Sequence, residues 1–271
     1  MPASRSTKRS TNSEPRPARA RATAVWILIV ALAALAVFLS ALPAGVATHF
    51  LPPNVHADDL SGSIWHGAMG KITVAGRDAG ALEWRIYPAA LLHLALKADL
   101  HWVHRGFGAE ATATIDRGRA TLSAIRGGGP IEDLQDFGVV RGWRGTTDIA
   151  LDKLSTDMVR ILSASGDVTV SGLSAAQLAA GADLGGYVLH LGADAVDANG
   201  VITGQLSDTG GPLKLQGTIT VSPQQHNGTL SGTIRERNLV SEELRKELDS
   251  LAQLRGRDRN GNIPIDLEFT F

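Results

Sequence analysis

LLHLALKADLHWV, residues 91–103, decides the fold class. Leu92, Leu94, Leu96, Ala98, Leu100 and Trp102 occupy every second position. His93, Ala95, Lys97, Asp99, His101 and Val103 fall between them. A period of two is the signature of a strand with one buried face, because successive side chains point to opposite sides of the pleat. The same alternation returns further on. Leu213, Leu215, Gly217, Ile219 and Val221 form one set, Leu230, Gly232 and Ile234 a second, and Ile263, Ile265, Leu267, Phe269 and Phe271 close the chain. Pro264 lacks an amide hydrogen, so it belongs at the start of that last strand or on a sheet edge.

Turn chemistry separates these runs. Asp116-Arg117-Gly118, Asn199-Gly200, Asp208-Thr209-Gly210-Gly211-Pro212 and Asn227-Gly228 read as hairpin connections. Short strands joined by tight turns predict a mainly β chain: an extended, curved, mostly antiparallel sheet resembling a half-open barrel. Helical spacing is clear in one place. In SEELRKELDSLAQL, residues 241–254, Leu244, Leu248, Leu251 and Leu254 recur at helical intervals. Ser241 can cap, Glu242 and Glu243 suit the N-terminal dipole, and Gly256 follows the end. The apolar side of this amphipathic helix is expected to close one end of the sheet. Residues 130–137 and 174–178 read as short helical turns.

The N-terminal region differs in character. Residues 1–22 form a basic tail expected to be disordered and cytoplasmic; residues 1–21 carry six basic groups and one acid, Glu14. Residues 23–42 hold no charge in 20 positions, a length that spans about 30 Å of hydrocarbon as a helix. Basic residues on one side only place the N-terminus in the cytoplasm. This predicts a single-pass inner-membrane anchor, a linker over 43–57 and a periplasmic β domain over 58–271. A cleaved signal peptide is the weaker reading, since its apolar core is usually shorter.

The chemistry of catalysis is sparse. There is no Cys, which excludes disulfides, thiol nucleophiles and thiolate metal sites. Of eight His, only His93, His101 and His104 cluster, and strand geometry holds His93 and His101 about 26 Å apart. His101 and His104 point to opposite faces unless a bulge intervenes. No HExxH, GxSxG or P-loop pattern occurs. Glu132-Asp133 sits on a predicted helical turn and reads as solvated charge. The chain after the tail is acidic, which argues against nucleic-acid binding. The sequence therefore predicts no catalytic residues, no metal, no cofactor and no enzymatic activity.

Two tryptophans define the remaining motifs. SGSIWHG, residues 61–67, supplies Gly62, Trp65 and Gly67; GALEWRIYPAALL, residues 80–92, supplies Leu82, Trp84 and Pro88. Their order and spacing, after a basic tail and one anchor, resemble the type II secretion system protein N family. Residues 184–221 and the ending, a Leu-rich helix before a final strand, are similar to the second half of that family. The resemblance implies an accessory component of the machinery that moves folded proteins from the periplasm across the outer membrane. It implies partners in the inner-membrane platform, the pseudopilus and the outer-membrane secretin, and no catalytic residue comes with it. The six motif positions are expected either to fill the core or to line a groove. An alternative is a periplasmic lipid-handling protein, by analogy with AsmA-like domains that shield acyl chains. That reading expects lipid as a partner and a continuous apolar inner face.

Overall fold

The computed structural model describes residues 43–45, 51, 53–137, 141–157, 159–176, 181–237 and 240–270. The predicted anchor and basic tail lie outside these residues. Among the described residues no helix is long and apolar enough to cross a membrane.

Among the described residues thirteen strands form one sheet in which spatial order equals chain order. They are β1 (Val55–Gly62), β2 (His66–Val74), β3 (Arg77–Ile86), β4 (Ala95–His104), β5 (Phe107–Asp116), β6 (Arg119–Pro130), β7 (Trp143–Thr156), β8 (Ile161–Ala175), β9 (Asp183–Leu191), β10 (Ile202–Gly210), β11 (Leu213–Ser222), β12 (Asn227–Glu236) and β13 (Ile263–Thr270). Every pairing is antiparallel, and among the described residues β1 and β13 are its two edge strands. β1 begins inside the stretch 43–57 that the sequence assigns to a linker. Pro264 lies near the start of β13 and on an edge, where its missing amide hydrogen interrupts no ladder.

The register carries the main architectural fact. Leu60, Met69, Leu82, Trp102, Ala109, Gly127, Ile149, Val168, Leu189, Leu206, Gly217, Gly232 and Ile265 are consecutive cross-strand partners from β1 to β13. Partners across a ladder point to the same side. One side of the sheet thus bears an unbroken apolar row over its whole width. The neighbouring row is Ser61, Ala68, Glu83, His101, Glu110, Arg126, Ala150, Asp167, His190, Gln205, Thr218, Ser231 and Asp266, and it is polar except at two alanines. Its members bind one another: His190 Nδ1 lies 2.6 Å from Asp167, Thr218 donates to Gln205 at 3.3 Å, and Ser231 to Asp266 at 2.8 Å. Bulges, such as those at Glu110/Thr112 and Leu151/Lys153, take up extra residues without inverting the two faces.

Three clusters bury this apolar side. The first joins Met69, Ile72, Ala79 and Trp84 with Ala44, and Leu51 packs on it. The second joins Ala164, Leu191 and Ala195, where the loop after β9 folds back. The third and largest lies under helix α1 (Glu242–Arg255), whose Leu244 and Leu248 are buried against Leu184, Tyr187, Leu213, Leu215 and Ile263. Ser241 caps α1 by accepting from Leu244 N at 3.2 Å.

Four expectations need correction. The alternation starts at Leu96, because residues 88–93 form a 3₁₀ turn and Leu94 caps it in the left-handed region. Leu92 and Leu94 are therefore exposed, at 85% and 89%. Asn227-Gly228 is strand rather than turn: the chain reverses over Pro223–His226, and Gly228 faces the Phe269 ring. Ser174 and Ala175 end β8 rather than opening a helical turn, and residues 177–178 lie outside the described ones. Leu254 is exposed, because at 100° per residue it lies about 80° from the Leu244–Leu248–Leu251 side. The turn at 131–137 is present as a 3₁₀ helix, in which Asp133 accepts from Gly106 N at 2.9 Å.

Candidate functional site

The two tryptophan motifs meet at the start of the sheet. Gly62 and Gly67 are partners across the β1–β2 hairpin, and Ser63 N donates to His66 O at 2.9 Å to close it. The Trp84 indole crosses from β3 into this hairpin and donates through Nε1 to Ile64 O at 2.8 Å. Gly67 allows that approach, since a Cβ there would lie 2.6 Å from the ring. Ile86 N donates to Trp65 O at 2.6 Å, so the second motif grips the first twice. Trp84 is buried, Leu82 packs beside it, and Trp65 is half-buried. Pro88 opens the 3₁₀ turn to β4. The preceding Tyr87 donates its hydroxyl to Asp99, which also accepts from Thr112 at 2.9 Å. These two bonds hold the Asp99 carboxyl below its ordinary range.

Trp84→Phe keeps most of the ring and removes the donor, leaving the Ile64 carbonyl without its indole partner. The expected cost is about 1–2 kcal/mol, read as a lower midpoint in urea with an unchanged slope.

The histidines are not brought together. His93 ends the 3₁₀ turn, His101 lies on the polar side, and His104 is buried on the apolar side. His104 sits in an aromatic box of Trp102 and Phe137, with Asp136 at 3.5 Å. Among the described residues no group of three or more metal-ligating side chains converges. The burial of His104 has one signal in the sequence. Only the strict alternation from Leu96 onward, which gives His104 the same parity as Trp102, signals it.

A large concavity lies elsewhere, between α1 and the apolar side of β8–β13. It has a volume of about 800 Å³ and walls of Leu, Ile and Val, with Trp143, Tyr187 and the single charged residue Glu247. Sequence reasoning found part of its walls, the alternating strands β11 to β13 and the amphipathic helix. It expected the helix to close one end of the sheet, and the space between them has no sequence signal. Tyr187 donates its hydroxyl to Leu184 O at 2.5 Å. Burial, reinforced by the nearby Asp208 and Asp183 charges, pushes this phenol up to about 12. The Asp208 side chain is itself largely inaccessible, 2.7 Å from Arg237 and accepting from Leu215 N at 3.3 Å.

The chain has two tyrosines, and that makes alkaline titration informative. Tyr87 is also raised, by its bond to Asp99. Ultraviolet titration should show no phenolate step at the ordinary value near 10. Because the folded-state value of Tyr187 exceeds the unfolded one, its stabilising contribution is complete below pH 10. It is lost as pH rises from there through about 12. A full two-tyrosine step near pH 10 in the folded protein would contradict this.

No curated protein and no solved structure matches the chain. The family described as type II secretion system (T2SS), protein N matches residues 53–266, from the residues before β1 into β13. With both motifs and the sheet inside that span, the chain belongs to the type II secretion system protein N family, a family of secretion components rather than a known family of enzymes.

Proposed function

We propose that this protein is an accessory, inner-membrane-anchored component of the type II secretion machinery, which exports folded proteins from the periplasm across the outer membrane. The family match over residues 53–266 carries this reading. In it, residues 23–42 hold the protein in the inner membrane with the N-terminus cytoplasmic and the sheet periplasmic. The partners are then other secretion components: the inner-membrane platform, the pseudopilus or the outer-membrane secretin. The polar side of the sheet supports such contacts, since it presents charges of both signs in a fixed register, including Glu83, Glu110 and Arg126. Patterned charge gives docking specificity and speeds encounter more than it adds affinity.

The test is deletion of the gene in the native host, followed by assay of a folded exoprotein. The expected result is that the exoprotein accumulates in the periplasm and that the full chain restores its release. Undiminished release in the deletion strain would overturn the proposal. Carbonate extraction of the full chain and of a chain lacking residues 1–42 tests the anchor: only the shortened one should leave the membrane fraction.

A further inference from the structure

We infer that the concavity between α1 and β8–β13 is a binding site for an acyl tail of a zwitterionic phospholipid. Protein interiors pack at crystal-like density and leave few voids larger than a water molecule. A space of about 800 Å³ belongs instead to the size range of ligand pockets. Its contours are formed by Leu206, Leu215, Leu230, Leu248, Leu251 and Ile265, all from the apolar side of the sheet or from α1.

Hydrogen bonding decides the chemistry of the occupant. Strands β8 to β12 each have a neighbour on both sides, so their backbone groups are consumed in ladders, and the outer edge of β13 directs its backbone groups along the sheet plane rather than into the space. The backbone of α1 is bonded along its own axis. The Tyr187 hydroxyl is committed to Leu184 O. A peptide segment entering this space would bring amides and carbonyls that find no partner, at a cost of several kcal/mol for each. A helix would satisfy its own backbone, but its diameter of about 10–12 Å fits less than two turns into such a volume. A hydrocarbon chain has nothing to satisfy, and every methylene gains from burial.

Charge selects among acyl lipids. A free fatty acid carries a carboxylate that needs a cation or donors at the mouth. The one charged residue of the lining is Glu247, an exposed acid on α1. It repels a fatty carboxylate and attracts the ammonium of a zwitterionic headgroup. An esterified tail has no charge of its own to place. The apolar surface runs from Leu267 in the lining to Phe269 beyond it on the edge strand, exposed at 50% and 40%. This gives a tail a route in from the sheet edge. The site does not depend on the secretion proposal, because tail binding and exoprotein release are read by separate assays.

The test uses the full chain reconstituted in vesicles containing phosphatidylethanolamine with a diazirine in one acyl tail. A parallel sample carries diazirine-palmitic acid in ordinary lipid. After irradiation, labelled peptides are mapped by mass spectrometry. The lipid probe should label residues 206–251, with at least fivefold less labelling from the free acid. Leu206→Trp fills the space and should reduce that labelling at least fivefold, while any labelling of residues 23–42 is unchanged. Leu251→Trp fills it from the helix side and should act alike. Far-ultraviolet circular dichroism of each variant should match the parent, because added bulk enters open space rather than a packed core. Labelling confined to residues 23–42, or insensitive to both variants, would overturn the site. Stronger labelling by the free acid would overturn the assignment to an esterified, zwitterionic lipid.

Discussion

Ile263→Asp is expected to undo the C-terminal part of the sheet. Ile263 is fully buried at 0% exposure, in the cluster that joins β11, β13 and α1. Truncating such a side chain to Ala costs about 2–5 kcal/mol. Aspartate adds the penalty of a buried carboxylate with no cation among the cluster residues, again several kcal/mol. Together these rival the whole stability of an ordinary domain, about 5–15 kcal/mol. The loss should appear as release of α1: proteolysis within residues 237–262 at protease levels the parent withstands, and a lower helical signal. Ile263→Val removes one methylene and should cost only about 0.5–1.5 kcal/mol. Equal protease resistance in the Asp variant and the parent would show that α1 is held by other contacts.

The second large effect separates two glycines with nearly the same backbone. Gly76 and Gly80 have φ of +80° and +84°. A Cβ on Gly76 would meet nothing within 4 Å, whereas one on Gly80 would lie 2.2 Å from Val103 O and 2.9 Å from His104 Cβ. Both alanine variants carry the cost of a left-handed conformation, about 1–2 kcal/mol. Only Gly80→Ala must also push β3 away from β4, and backbone oxygen cannot rotate aside. That shift disturbs the bond from Trp102 Nε1 to Ala79 O, at 2.7 Å, and the packing of Phe107 and His104. Gly80→Ala should therefore be more destabilising than Gly76→Ala by at least about 2 kcal/mol in equilibrium urea unfolding. Equal midpoints for the two would mean that the β3–β4 ladder yields freely.

These residues also mark what the sequence discloses. The mainly β class, the strands β11, β12 and β13, the position of Pro264 and the cap of α1 follow from local rules: period two, period 3.6 and a serine before two glutamates. The failures lie where tertiary contact overrides local preference. Leu92 and Leu94 continue the alternation, but a proline four residues before Leu92 starts a 3₁₀ turn that the alternation cannot report. Asn227-Gly228 has the composition of a turn, yet its glycine is required by an aromatic ring from a strand about forty residues away in sequence. The bulge with Ala124 at φ +50° has no local signal at all. Among the motif positions, sequence paired the two tryptophan elements only by resemblance. The bond from Trp84 to the Ile64 carbonyl is a fact of the folded sheet. The concavity was the least legible feature, because an empty volume is set by the distance between two walls and neither wall encodes it alone.

Strict neighbour-to-neighbour strand order has a consequence for how the molecule assembles. Each strand needs only the one before it, so no pairing waits for the far end of the chain. Contact formation is local, and the loop entropy that slows closed barrels is absent. Nearest-neighbour coupling of this kind behaves like a linear array, in which order spreads from a nucleus and melts from the ends. Amide exchange should then be slowest in the middle strands and quickest along β1 and β13, whose residues are mostly exposed. A partly made chain is, on this view, a shorter version of the same sheet rather than a broken one.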